Sequence, residues 1–127
     1  MVIQRDRREA WLWGDGRMHE LAIAENVIEI ITARTGERIV RQVRLEIGRL
    51  SGISADSLRF CFELAAAETG VDGAQLVIDE PAGRARCVTC GEEFMVEDPI
   101  LLCACGSSDV RILAGEELRI LSVEVSR

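Results

Sequence analysis

Four cysteines packed into a short stretch constrain this chain more than any other feature. Cys87 and Cys90 form a C-x-x-C pair followed at once by Gly91, and thirteen residues beyond Cys90 come Cys103 and Cys105, followed by Gly106. Two short pairs across a loop of this size supply the four thiolates of a tetrahedral zinc site. Each pair comes from one tight turn, and the glycines relieve crowding where backbone amides fold toward sulfur. The segment is too short to bury much apolar area, so the metal is expected to supply much of its folding free energy. A closed set of four thiolates leaves no open coordination position, which predicts a structural role rather than a hydrolytic one. Iron suits the same ligands, and nothing in the sequence selects it over zinc. One spacing is unusual: Cys103 and Cys105 are separated by a single residue. In an extended strand they would point to opposite faces, so a turn at Ala104 must bring both sulfurs inward.

Metal rather than disulfide chemistry requires reduced thiols, and composition bears on that. The chain has 127 residues, is nearly half apolar, and contains 5 cysteines. That length suits one compact domain, or a small domain carrying a smaller module. No run approaches the roughly 18 apolar residues that span a bilayer. The first residues, Met1 to Arg17, carry charges throughout and lack the apolar stretch of a signal peptide. A cytosolic, reducing location is therefore expected, with no membrane partner and an odd cysteine to spare. The formal net charge is -7, and every cationic side chain is arginine. Such an acidic balance argues against gripping phosphate backbones.

The remaining pattern is that of a small α/β unit. From Met18 to about Thr35 apolar residues recur at helical spacing: Leu21, Ala24, Ile28 and Ile31, widened by Ile23, Val27 and Ile30, with Gly36 as the stop. Val43, Leu45 and Ile47 then alternate with Arg44 and Glu46, the period of a half-buried strand. Gly48-Arg49-Leu50-Ser51-Gly52 reads as a turn. Ser54 caps a second helix with Asp56 in its first turn; its apolar stripe is Leu58, Cys61, Phe62 and Ala65, with Arg59 and Glu63 as an i,i+4 pair and Gly70 at the end. On that face Cys61 is expected to pack as a small hydrophobe rather than act as a nucleophile, since no Cys-His pair is available to it. A second strand runs around Leu76 to Ile78, stopped by Pro81, and Glu117 to Val125 forms a third with Leu121, Val123 and Val125 on one face. Strand, helix and strand in that order favour a parallel pairing. The expected architecture is α+β or α/β: two helices on a three-stranded mixed sheet, with a zinc-ribbon-like module inserted late. The divisions are an extension over 1–17, the main unit over 18–83 plus 114–127, and the cysteine module over 84–113.

His19 is the only histidine. Met18-His19-Glu20 opens the first strongly patterned segment, and helix-start amides lack intrahelical partners. Were Met18 the amino terminus, its amine, the His19 amide and the imidazole would chelate one ion through nitrogen. The Glu20 amide or carboxylate would complete a square-planar set suited to Ni(II) or Cu(II). Met18-His19-Glu20-Leu21, Arg44 to Gly52, Leu58-Arg59-Phe60-Cys61-Phe62-Glu63-Leu64, the cysteine pairs and Glu117-Leu118-Arg119-Ile120 together resemble the hydrogenase nickel-incorporation proteins, HypA/HybF. The likeness runs from Met18 to Val125, in matching order and spacing.

That resemblance implies a metallochaperone, not an enzyme, which delivers nickel to the large subunit of NiFe hydrogenase. It implies a GTPase accessory protein (HypB) as partner, and a monomer or weak homodimer. It maps the nickel site onto His19, with Met18 and Glu20 beside it, and structural zinc onto Cys87, Cys90, Cys103 and Cys105. The sequence departs from the family pattern in the shortened second cysteine pair and in the residues before Met18, which make that amine a peptide nitrogen. Met18 is expected to be the true start. The alternative is a zinc-ribbon module that binds protein or nucleic acid, with Arg84, Arg86 and Arg111 touching phosphates. Net charge and the missing aromatic platform weigh against it.

Overall fold

The computed structural model describes residues 20–98 and 100–126. In chain order its elements are α1 (Glu20–Thr35), β1 (Val40–Ile47), α2 (Ala55–Ala66), β2 (Gln75–Asp79), β3 (Gly83–Cys87), β4 (Glu93–Val96), β5 (Val110–Ala114) and β6 (Leu118–Val125). They form two three-stranded sheets, ordered β2-β1-β6 and β4-β3-β5. In the first, β1 runs parallel to β2 and antiparallel to β6, the mixed sheet expected from strand, helix and strand. The second sheet is antiparallel throughout and carries the cysteines.

The core lies between the two helices and one face of the first sheet. Val43, Leu45 and Ile47 are buried, as their alternation demands, and meet Ile23, Val27, Ile28 and Ile31 from α1 and Leu58, Phe62 and Ala66 from α2. Cys61 packs against the edge of this cluster, partly buried, as a small apolar group. The opposite sheet face is polar: Arg44 grips Asp79 through Nε and Nη2 at 3.0 and 3.3 Å, and Arg119 meets Glu46 at 3.1 Å. A sheet with one covered face and one wet face keeps its register, because a one-residue slip would exchange them.

Several expectations are corrected. In β6 the buried residues are Ile120 and Val123, while Leu121 is only half-buried. The register shifts between Arg44 and Leu45, where β6 inserts Leu121 as an extra residue, so Ile120 and Val123 come to share the core face. A second irregularity between Val40 and Gln42 likewise returns Val40 to the buried face and lengthens β1 beyond the alternating stretch. Helix α2 stops at Ala66, four residues short of Gly70, because Ala67 turns extended (ψ 135) and Glu68 takes a left-handed φ of 65. Arg59 donates to the Leu76 carbonyl at 2.7 Å, tying α2 to β2, and among the described residues no ion pair joins it to Glu63. Leu21, assigned to the buried stripe, is 40% exposed because it lines an open groove between the starts of α1 and α2.

The turn after β1 does more than reverse the chain. Gly48 N donates to Glu117 O (2.9 Å), Leu50 N to Gly115 O (2.8 Å) and Arg49 N to Pro81 O (3.0 Å). It therefore grips both crossings between the sheets, the one entering β3 and the one leaving β5. The backbones approach so closely that a Cβ on Gly48 would lie 2.0 Å from Gly115 O, and one on Gly115 2.5 Å from the Gly83 Cα. Side-chain-free residues are required on all sides of this joint.

Candidate metal centre

The second sheet presents the two cysteine pairs at one end. Cys87 closes β3, and the chain then turns so that Gly91 N donates back to Cys87 O at 2.8 Å, with Gly91 at φ 80. The second pair uses a tighter version of the same turn. Gly106 N donates to Cys103 O at 2.9 Å with Gly106 at φ 93, so the chain reverses over Ala104 and Cys105. This is the turn that the single-residue spacing demanded. The two turns are stitched together by Thr89 Oγ1 and Ser107 Oγ at 2.8 Å and by Val88 N donating to Asp109 O at 2.9 Å.

The result is a compact sulfur cluster. Cys87 Sγ lies 3.7 Å from Cys105 Sγ, and Cys90 Sγ lies 3.6 Å from Cys103 Sγ. All four sulfurs fall within 4.8 Å of one another. A zinc ion with Zn–S bonds of about 2.3 Å requires tetrahedral edges of about 3.8 Å, so the donor set fits zinc without rearrangement. The electrostatics agree. The Cys90 amide, 3.5 Å from Cys87 Sγ, draws the Cys87 thiol down to about 6. The Cys103 thiol is drawn down by the Cys105 amide, but burial and the sulfurs of Cys105, Cys90 and Cys87 outweigh this and push it up to about 12. Cys90 is raised too: the Glu92 backbone and the Cys103 thiol lower it, while burial and the sulfurs of Cys87 and Cys105 prevail. Four sulfurs this close share negative charge only around a cation. Cys87 and Cys103 are buried beneath the pair and Cys90 and Cys105 are exposed, which leaves the cluster near the surface yet closed by its own ligands.

The other sequence-assigned residues are distributed differently. Glu20 opens α1, whereas Met18 and His19 lie outside the described residues. The Glu20 carboxylate accepts from Ser54 N at 3.3 Å, a contact that sequence reading missed because 34 residues separate the partners. Arg84 and Arg86 both face Glu93, at 3.8 and 3.6 Å, and form a solvated ion-pair row rather than a bare cationic face. Among the described residues no helix is long and apolar enough to cross a membrane.

A two-helix mixed sheet joined to a small antiparallel sheet with a closed four-thiolate centre defines a small metal-binding α+β protein, the thiolate centre being of the kind that holds structural zinc. Comparison with known proteins narrows the class. The family profile described as hydrogenase/urease nickel incorporation, metallochaperone, HypA matches residues 18–125. A hydrogenase maturation factor HypA from Geobacter metallireducens is 45% identical over 109 residues, covering 85% of this chain and 99% of that protein. One from Streptomyces avermitilis is 46% identical over 112 residues, covering 84% and 86%. Among solved structures, the solution structure of the Ni metallochaperone HypA from Helicobacter pylori superposes with a TM-score of 0.60 at 26% identity, covering 85% of this chain and 97% of that one. The chain belongs to the HypA family of nickel-incorporation metallochaperones.

Proposed function

We propose that this protein carries Ni(II) to the large subunit of NiFe hydrogenase during maturation in the cytoplasm, working with the GTPase accessory protein HypB. The Met18-His19-Glu20 turn takes up the cargo ion, with His19 as the side-chain ligand. Zinc, held by Cys87, Cys90, Cys103 and Cys105, supplies a fixed tetrahedral crosslink and no chemistry. The molecule divides by task into a nickel-binding unit (18–83 plus 114–127) and a zinc module (84–113).

The observation that supports this reading is the start of α1. A regular helix opens at Glu20, within the matched span that begins at residue 18, and its first amides are free of intrahelical partners. A site built largely of such backbone nitrogen is assembled and dismantled by local motion of one turn, which suits exchange rather than storage. The thiolate set is coordinatively closed and unsuited to handing over an ion.

The test is a nickel titration of zinc-loaded protein, using the full chain and one beginning at Met18, each with and without His19→Ala. His19→Ala is expected to abolish specific nickel binding while zinc content and fold persist. Retained nickel stoichiometry in that variant refutes the site. Nickel-loaded protein is then mixed with nickel-free hydrogenase large subunit, and transfer at a rate no greater than from free nickel refutes delivery.

A further inference from the structure

Glu20 ends the Met18-His19-Glu20 motif, and its carboxylate is among the groups that the family resemblance offers to nickel. Its surroundings give it a different task. Ser54 is the N-cap of α2, and its Oγ accepts from Ser57 N at 3.3 Å. In a capping box the residue three positions on is Glu or Gln, whose side chain reaches back to accept from the N-cap amide. Here that position is Ser57, too short to reach. The missing acceptor comes from the other helix: Ser54 N donates to Glu20 Oε1 at 3.3 Å. Glu20 is itself the first residue of α1. Its carboxylate thus lies beside the positive ends of both helices, where an anion is favoured.

The far side of this contact is firmly held. Ile53 N donates to Ser51 Oγ at 3.2 Å, and Ser51 belongs to the turn that grips both sheet crossings. A carboxylate bound at this place ties the start of α1 to the segment that follows this turn.

We propose that the Glu20 carboxylate is a positioning residue: it completes the cap of α2 from outside and so fixes the nickel turn, leaving coordination to nitrogen. This rests on the nickel reading above, and the experiment separates the two. Four variants of the zinc-loaded protein are compared, both as the full chain and as one beginning at Met18. Glu20→Gln keeps the acceptor and removes the anionic ligand, whereas Glu20→Ala removes both. Ser54→Pro removes only the donor beyond what Ser54→Ala removes, and the Ser54 φ of -79 suits proline. Nickel affinity, the nickel d–d absorption band and, without nickel, hydrogen exchange at the Ser54 amide are measured.

Glu20→Gln is expected to bind nickel within about threefold of the parent with an unmoved band. Glu20→Ala and Ser54→Pro are expected to bind about tenfold more weakly, again with an unmoved band, as supporting groups around metal sites typically do. The Ser54 amide exchanges faster in Glu20→Ala than in Glu20→Gln. A shifted band or a tenfold loss in Glu20→Gln makes the carboxylate a ligand and overturns the proposal. Unchanged Ser54 exchange in Glu20→Ala overturns it without reference to nickel. If His19→Ala binds nickel as the parent does, the nickel reading falls and the positioning role with it, while the exchange data still report whether the tether exists.

Discussion

Replacing Gly48 with alanine tests whether the joint between the sheets is as tight as its geometry. The added Cβ would stand 2.0 Å from Gly115 O and 2.2 Å from Gly115 C, against an ordinary contact of 3.4–4 Å. Both atoms are backbone, so no side chain can swing aside. The two segments must separate by more than an ångström, which breaks Leu50 N to Gly115 O (2.8 Å) and Gly48 N to Glu117 O (2.9 Å). Each lost bond costs about 1 kcal/mol. Residual overpacking adds about 1–3 kcal/mol. Together these give about 3–5 kcal/mol, a large share of the ~5–15 kcal/mol that holds a small domain folded. Gly36→Ala is the control, since nothing lies within 4 Å of its Cβ and only its φ of +62 is strained. That strain costs about 1–2 kcal/mol. Urea unfolding of zinc-loaded proteins, followed by far-ultraviolet circular dichroism, gives both values. If Gly48→Ala costs no more than Gly36→Ala, the joint is not sterically closed and the reasoning fails.

Two further outcomes follow from the thiolate centre. Cys87→Ser should release the zinc, measured by elemental analysis, and erase the dispersed amide resonances of β3–β5 while those of α1, β1 and α2 persist; one zinc per chain in that variant contradicts the four-thiolate site. Zinc uptake at neutral pH should release at least two protons, because Cys90 and Cys103 are raised and hold theirs, whereas Cys87, drawn down to about 6, has already lost its own. Calorimetry in buffers of different ionisation enthalpy counts them, and a release below two refutes the assignment. The sign follows from competition: acidification through about 6 reprotonates Cys87 as well, so zinc affinity falls as pH falls.

What could be read from the sequence was local. Val43, Leu45 and Ile47 announce their strand because a pleated backbone repeats every two residues, and Ser54 announces α2 because an N-cap is a one-residue signal. The cysteine pairs are equally explicit, since zinc dictates ligand type and spacing. The misses have a common origin in tertiary geometry. Leu121 departs from the buried face through its pairing with β1, which its own segment does not encode. The end of α2 at Ala66 follows from Glu68 adopting a left-handed φ where Gly70 offered the easier stop. Strands β3, β4 and β5 are 4 or 5 residues each, too short for a periodic signal, and flank a cluster assembled from both ends of the segment. Gly48, Gly83 and Gly115 read as isolated turn residues until the fold brings them into contact. Glu20 and Ser54 form a capping pair that no window along the chain contains.

The pairing of Arg84 with Ala114 carries an evolutionary and engineering consequence. The thiolate segment leaves the rest of the molecule and returns to it at a single doorway, so its length is decoupled from the span it must bridge. Residues added at the far tip, beyond the sulfurs, alter neither the crossing nor the β2-β1-β6 sheet, and the closure entropy they add grows only slowly with their number. The segment therefore behaves as a cassette. Grafts made in the laboratory are best tolerated at that far tip, while the doorway itself admits almost none.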